Sequence, residues 1–515
     1  MLPLMKHLVQ FVLLSTVALS VSSSQSPMPG AGHEDDREIG IHQYFSEIYK
    51  HYEAEHPAVR IGTAYEIRSR FSRQVPLKKE VFGYFPYWFT SRWNLVDYSL
   101  LSTIAYFSAE VGGNGLITNV HGWPRYPGDP DASANVINMI NAAHQEGVRV
   151  VLCVTNFDGN EIHTLVSSPS SRNLLIQNAL GLVQAASADG VNINFEGVQN
   201  ASKPYVTLFM QALADSFHTR IPGSHVSCAP TDFDIRYNGG DWDLAAIEPY
   251  VDMFFFQGYN YYYSGSSVTG PVGLLPNTSF WGSLNITSLI DNVVLARIDT
   301  TKALLGVPHY GLRWLAVSGS AKAATQGSGS AFYYPDALVT TAQYGRQWDV
   351  VGQNPWYRYQ VGSQWYQGWY DDPESMGYKY AFVFNRHLQG IGMWALGQDN
   401  GNHDIWDVLA SYFVDSTATR VLISSDSPGR FLLQQNFPNP FNPFTKIKFT
   451  LSGRDMTTLS VFDVLGREVA VLLHEVLEGG EYSASFSAVD IPSGVYFYRL
   501  SSGTNISARK MILMR

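Results

Sequence analysis

Asp189-Gly190-Val191-Asn192-Ile193-Asn194-Phe195-Glu196 is the stretch whose residue types and spacing point most directly to chemistry. Read as a β-strand, it sets Val191, Ile193 and Phe195 on one face and Asn192, Asn194 and Glu196 on the other. Three polar side chains on one face of an otherwise apolar segment are costly to bury without a purpose. The pattern therefore predicts a carboxylic acid delivered to a reaction site, with two amides beneath it. The competing reading is a solvated edge strand with a polar face.

The surrounding elements must position that acid. From about Lys78 to Phe413, short apolar strands alternate with helical patterns, which predicts a βα-repeat fold with a parallel sheet. The expected strands are Val81–Tyr87, Ser102–Phe107, Arg149–Val154, Gly190–Glu196, His225–Ala229, Val251–Tyr259, Ala303–Pro308 and Gly390–Leu396. Helices are expected at Ala134–Glu146, closed by Gly147, and at Arg172–Ala186. Eight strands over this length fit a (β/α)8 TIM barrel, whose catalytic groups sit at the C-terminal ends of the strands. A doubly wound sheet would need a Gly-rich phosphate loop after its first strand, and Gly83-Tyr84-Phe85-Pro86-Tyr87-Trp88 offers none.

Several of these strands carry a resemblance. Asp189–Glu196 resembles the D-G-x-D-x-D-x-E signature of family 18 glycoside hydrolases, the chitinases and related endo-β-N-acetylglucosaminidases. Gly83–Trp88 is similar to the family's opening G-Y-x-x-x-W. Val251-Asp252 through Tyr259-Asn260 resembles its V-D … M-x-Y-D, and Gly306-Val307-Pro308-His309-Tyr310-Gly311 its G-x-P-x-Y-G. Tyr370-Asp371-Asp372 with Ser375 and Lys379, and Gly390-Ile391-Gly392-Met393-Trp394, resemble the segment before the last strand and that strand itself. The likeness covers roughly residues 80–415 and is nearest the branch containing spore-cortex and peptidoglycan N-acetylglucosaminidases.

The resemblance implies a substrate-assisted glycosidase, an exception to the usual pair of enzyme carboxylates. Glu196 would be the general acid. Asn194 and Tyr259 would hold the substrate acetamido group that attacks the anomeric carbon. Asn192, Tyr84, Gln257, Asn260, Tyr310, Arg313 and Trp394 would bind sugar, with Trp394 as the floor. No cofactor and no metal is implied. Asn192, Asn194 and Asn260 stand where the family has Asp, which predicts a co-adapted neutral network. Without the charge of an Asp at 194, an electrostatic contribution of roughly 2–4 kcal/mol is lost, about 10²–10³ in rate. A barrel that binds N-acetylglucosamine polymers without cutting them is the alternative. Aromatics between Leu315 and Tyr380, namely Trp356, Tyr357, Trp365, Tyr366 and Trp369, would either select the substrate or pack an inserted loop region.

The ends of the chain read differently. Lys6 and His7 precede an interrupted apolar run, Leu8–Val21, followed by Ser22-Ser23-Ser24, which predicts a signal peptide over residues 1–24. Residues 25–77 hold a helical pattern, Ile41, Tyr44, Phe45, Ile48, Tyr49 and Tyr52, ended by Pro57. This helix is expected to pack on the barrel or to bridge to it, with no chemistry of its own. The barrel is expected over 78–415 and a Ser-rich linker over 416–431. Residues 432–515 predict a small antiparallel β-sandwich. Gln435–Pro443, Val461–Glu468, Pro492–Tyr496 and Lys510-Met511 resemble the C-terminal sorting domain of type IX secretion substrates. A carbohydrate-binding module would display Trp, and none follows Asp415.

Composition narrows the partners. The net charge of −10 argues against nucleic acid or an anionic membrane surface. Twelve Trp and thirty Tyr suit a surface that stacks on pyranose rings, or a large aromatic core. No later segment is long and apolar enough for a stable membrane span. Cys153 and Cys228 are expected as buried free thiols, a disulfide requiring both to point inward at one level. The expected partners are a polysaccharide containing N-acetylglucosamine and the type IX machinery. The protein should be a monomer, exported through the periplasm to the medium or the cell surface.

Overall fold

The computed structural model describes residues 40–50, 76–236, 240–414, 421–424, 431–436, 439–441, 444–488 and 491–514. The expected signal peptide, Tyr52 and Pro57 lie outside the described residues.

Eight parallel strands close on themselves: β1 (Glu80–Pro86), β2 (Thr103–Val111), β3 (Arg149–Asn156), β4 (Gly190–Phe195), β5 (His225–Cys228), β6 (Met253–Gln257), β7 (Ala303–Pro308) and β8 (Gly390–Trp394). Each pairs with its neighbours in sequence, and β1 pairs with both β2 and β8. Closure leaves no edge, so both faces of every strand must be covered. All six residues of β4 are buried, which removes the edge-strand reading. Val191, Ile193 and Phe195 join the apolar core while Asn192 and Asn194 occupy the alternate face.

The expected strands match to within a few residues. The sixth is shorter than expected, Met253–Gln257, which leaves Tyr259 and Asn260 on the loop beyond it. Helices Ala134–Gln145 and Pro169–Ala185 cover the barrel's outer surface with buried Ile, Leu, Val and Met side chains. Ser168 caps the second of these by accepting the Ser171 amide N–H, and Pro169 fits its first turn.

The segment expected as a loop region after β7 is instead a built layer. Strands Tyr310–Ala316, Ser330–Tyr333, Gln347–Asp349, Asn354–Val361 and Gln364–Trp369 form a five-stranded antiparallel sheet with helix Tyr334–Tyr344. Trp356, Tyr357 and Trp369 are buried, and Trp356 stacks on Trp369 with centroids 5.1 Å apart. These three pack the insertion. Trp365 and Tyr366 stay partly exposed. Of the expected family segment before β8, Asp372 caps helix Pro373–Asn385 and Lys379 forms a buried ion pair with Asp371. Those residues support structure.

The C-terminal sandwich has its own core, built from residues such as Ile447, Phe449, Leu459, Val461, Tyr482, Tyr498, Leu500 and Met511. Its two antiparallel sheets have four strands each. One includes Val421–Ser424, paired with Gly480–Ser487, so the sandwich begins inside the span expected as linker.

One more element matters to the cleft: α1, Ile41–Tyr49. Nine residues are too few for a helix that persists in water on its own. Its stability comes from burying Ile41, His42 and Phe45 against the barrel. The two apolar side chains contribute about 3–6 kcal/mol by area removed from water.

Candidate active site

Glu196 follows the last residue of β4, and its amide N–H donates to the Asn156 carbonyl at the end of β3, 3.2 Å away. Gly197, with φ of 76°, then turns the chain away. The carboxyl is therefore held at the C-terminal mouth of the barrel. Gln257, the last residue of β6, donates to Glu196 Oε1 at 3.1 Å and also reaches the Ala229 carbonyl. Glu196 Oε2 is buried without a hydrogen-bond partner.

Asn192 sits one layer deeper. Its Oδ1 accepts from the Tyr84 hydroxyl at 2.9 Å and contacts Cys153 Sγ at 3.4 Å, while its Nδ2 donates to Ser227 Oγ at 2.9 Å. Cys153 and Cys228, on the strands either side of β4, are both buried free thiols. Burial pushes both thiols up, and it does the same to the Tyr84 and Tyr259 phenols.

The neutral network expected among three asparagines does not take that form. Asn192 bonds to Tyr84 and Ser227, whereas Asn194 Nδ2 lies 2.6 Å from His42 Nδ1 on α1. Asn194 Oδ1 is buried and unpartnered.

His42 is the residue that sequence reasoning missed, along with the chemistry of its helix. Its Nδ1 is 2.7 Å from Glu196 Oε1, and its Nε2 is 2.8 Å from the Tyr259 hydroxyl. The imidazole lies over Trp394, centroid to centroid 3.9 Å, with Tyr84 at 5.4 Å and Phe107 at 5.7 Å. His42 is thus ringed by Glu196, Asn194, Tyr259, Trp394 and Tyr84. The available signal was a titratable residue three and seven positions before Phe45 and Tyr49, hence on their face of the helix.

Tyr310 is drawn in as well, edge-on to Phe45 of α1 at 5.5 Å and 6.4 Å from the Tyr259 ring. Arg313 is hydrogen-bonded to Tyr359 within the inserted sheet. Asn260 stands just beyond Tyr259 with a left-handed φ of 69°.

A second carboxyl was also missed. Asp234, in the short helix after β5, is buried, and burial pushes its carboxyl up to about 8, helped by the charges of Glu196 and Asp241. Its charge coupling to Glu196 makes it a second carboxyl that acts on the candidate general acid. Among the described residues, no cluster of His, Cys, Asp and Glu has the makings of a metal site.

A closed parallel barrel, with an acid ending β4 and aromatic groups converging on it from β1, β6 and β8, has the layout of a barrel glycosidase. The chain belongs to family 18 of the glycosyl hydrolases, whose family model matches residues 80–399. A second match, to the secretion system C-terminal sorting domain, covers residues 435–514. A Bacillus subtilis protein with the provisional name sporulation-specific glycosylase YdhD is 28% identical over 308 residues, covering 57% of this chain and 66% of that one. The di-N-acetylchitobiase of Mus musculus is 27% identical over 271 residues, 49% of this chain and 71% of that enzyme. In fold, the chain resembles the spore cortex-lytic enzyme SleL of Bacillus megaterium, with a TM-score of 0.52, 17% identity and coverage of 65% and 74%.

Proposed function

We propose that this protein is an exported glycosidase that cleaves β-1,4 linkages next to N-acetylglucosamine, in chitin, chito-oligosaccharide or peptidoglycan, by substrate-assisted retaining catalysis. The observation that carries the reading is the convergence of Glu196, Asn194, Tyr259 and Trp394 on the one ring of His42. A pyranose bearing an acetamido group would use the same partners.

In that reading Glu196 protonates the glycosidic oxygen, and Gln257 orients the carboxyl from its other side. The substrate carbonyl attacks the anomeric carbon, and Tyr259 donates a hydrogen bond to the resulting oxazolinium oxygen. Asn194 Oδ1 accepts from the acetamido N–H. It offers no charge to the developing cation, so turnover is slower than with a carboxylate there. Water then opens the oxazolinium with Glu196, now deprotonated, as base.

The division into a signal over 1–24, an N-terminal segment over 25–77, a catalytic barrel over 78–415 and a sorting domain over 432–515 belongs to the same proposal. The sorting domain would direct export by the type IX machinery to the cell surface or the medium. No helix among the described residues is long and apolar enough to cross a membrane. The test is release of reducing ends from purified chitin and peptidoglycan side by side. The reading requires cleavage of at least one and its loss in Glu196→Gln.

A further inference from the structure

The sugar-binding space is already occupied by the chain itself. We propose that α1 is an autoinhibitory plug: it fills the cleft between the barrel and the inserted sheet and must leave before a sugar chain can reach Glu196. The proposal rests on the glycosidase reading only for the identity of what α1 excludes.

The helix spans the cleft from wall to wall. On the barrel side, Tyr49 stacks on Trp88 at 4.9 Å with rings 8° from parallel, and the Tyr87 hydroxyl donates to the Tyr49 carbonyl. On the insertion side, the Tyr49 hydroxyl meets that of Tyr333 at 2.6 Å, and the Phe45 and Tyr333 rings lie 17° from parallel with centroids 6.3 Å apart. Between these walls His42 covers Trp394 and bridges Glu196 to Tyr259. The backbone at Gly40 comes so close that a Cβ there would lie 1.8 Å from Glu196 Oε2. With α1 seated, Glu196, Tyr259 and Trp394 are 3%, 3% and 0% exposed. No substrate fits while α1 is seated.

The plug is also an imperfect occupant, which is what makes it displaceable. Glu196 Oε2, Asn194 Oδ1 and Trp394 Nε1 all remain buried and unpartnered around it. An N-acetylglucosamine unit carries the groups these atoms lack: an N–H for Asn194, a glycosidic oxygen for Glu196 and hydroxyls for Trp394. The helix buries three side chains, holds on otherwise through the partly exposed Tyr44 and Tyr49, and has little intrinsic persistence, so it can be exchanged for such a ligand. While it competes, the apparent affinity for sugar is reduced by the fraction of molecules that are open.

The experiment measures binding apart from catalysis. Full-length Glu196→Gln is titrated with a chito-oligosaccharide by calorimetry, beside Glu196→Gln combined with His42→Ala and with Phe45→Ala. Each is checked for an unchanged main thermal transition. Two substitutions at different anchors guard against one that merely disturbs the barrel. Expected is at least a tenfold tightening in both double variants. Equal affinity in all three overturns the plug. Hydrolysis is then compared in proteins that retain Glu196. Tighter binding without cleavage in His42→Ala upholds the plug and removes the catalytic reading. Wild-type cleavage as fast as in His42→Ala and Phe45→Ala overturns the plug and leaves the catalytic reading standing.

Discussion

His42 Nδ1 and Glu196 Oε1 lie 2.7 Å apart, although 154 positions separate the two residues. The contact joins a helix ahead of the barrel to the acid at the end of β4. Either the imidazole donates to a carboxylate, or a protonated Glu196 donates to the imidazole, and Tyr259 on the other ring nitrogen adjusts its hydroxyl to match. In the first state Glu196 carries no proton of its own, and in the second its proton is held by His42.

Glu196→Gln should abolish hydrolysis while the protein stays folded. The amide keeps the shape of the side chain and can face Gln257 and His42, yet it cannot serve as a proton donor of the required acidity. Reducing-end assays decide the matter, with thermal unfolding as the control. Turnover at the rate of the parent protein would remove Glu196 as the acid.

Asp234 gives a pH prediction with a definite sign. Burial raises its folded-state pKa from the ordinary carboxylate range to about 8, so the folded protein binds this proton more tightly than the unfolded chain. The associated stability is complete below about pH 4 and is lost as pH rises towards 8, by about 1.4 kcal/mol per unit in mid-range. Asp234→Asn removes the ionisation. Its melting temperature should therefore fall less than that of the parent between pH 5 and 8. Parallel pH profiles for the two proteins would show that Asp234 is already ionised.

Much of the barrel was legible because its physics is local. The alternation of apolar and polar residues in Asn192-Ile193-Asn194-Phe195 gives both the strand and the direction of its amides, and the structure buries it on both faces. The inserted sheet does not show in the sequence, since Trp356, Tyr357 and Trp369 are spaced for pairing with partners that sequence order does not reveal. The seat of α1 was illegible for the same reason. An apolar face says that a helix must dock, not where, and His42 gains its meaning only beside Glu196, Tyr259 and Trp394. Asp234 was passed over because nothing in Thr231-Asp232-Phe233-Asp234 indicates burial.

Deleting residues from Ser416 onward should leave the barrel folded while blocking export. The sandwich has a hydrophobic core separate from that of the barrel, so its loss exposes little of the larger core. Fractionation of the native host would locate the truncated protein. Its appearance at the cell surface or in the medium would exclude a sorting role for the C-terminal domain.

Asn194→Asp tests the charge at the heart of the site, and the plug makes the answer depend on His42. With His42 in place, a carboxylate at 194 would face Nδ1, now 2.6 Å from the Asn194 amide nitrogen, and accept a charge-assisted hydrogen bond from the ring. The plug would tighten, so Asn194→Asp alone should leave kcat/KM unchanged or lower. In the His42→Ala background the same carboxylate has no internal partner and is free to stabilise the oxazolinium. There the gain should be at least tenfold, approaching about 10²-fold where the carboxylate is ionised at the assay pH. Measuring kcat/KM for the parent, both single variants and the double variant completes the cycle. Equal gains in the two backgrounds would show that residue 194 and His42 act independently, and α1 would then be no obstacle to turnover.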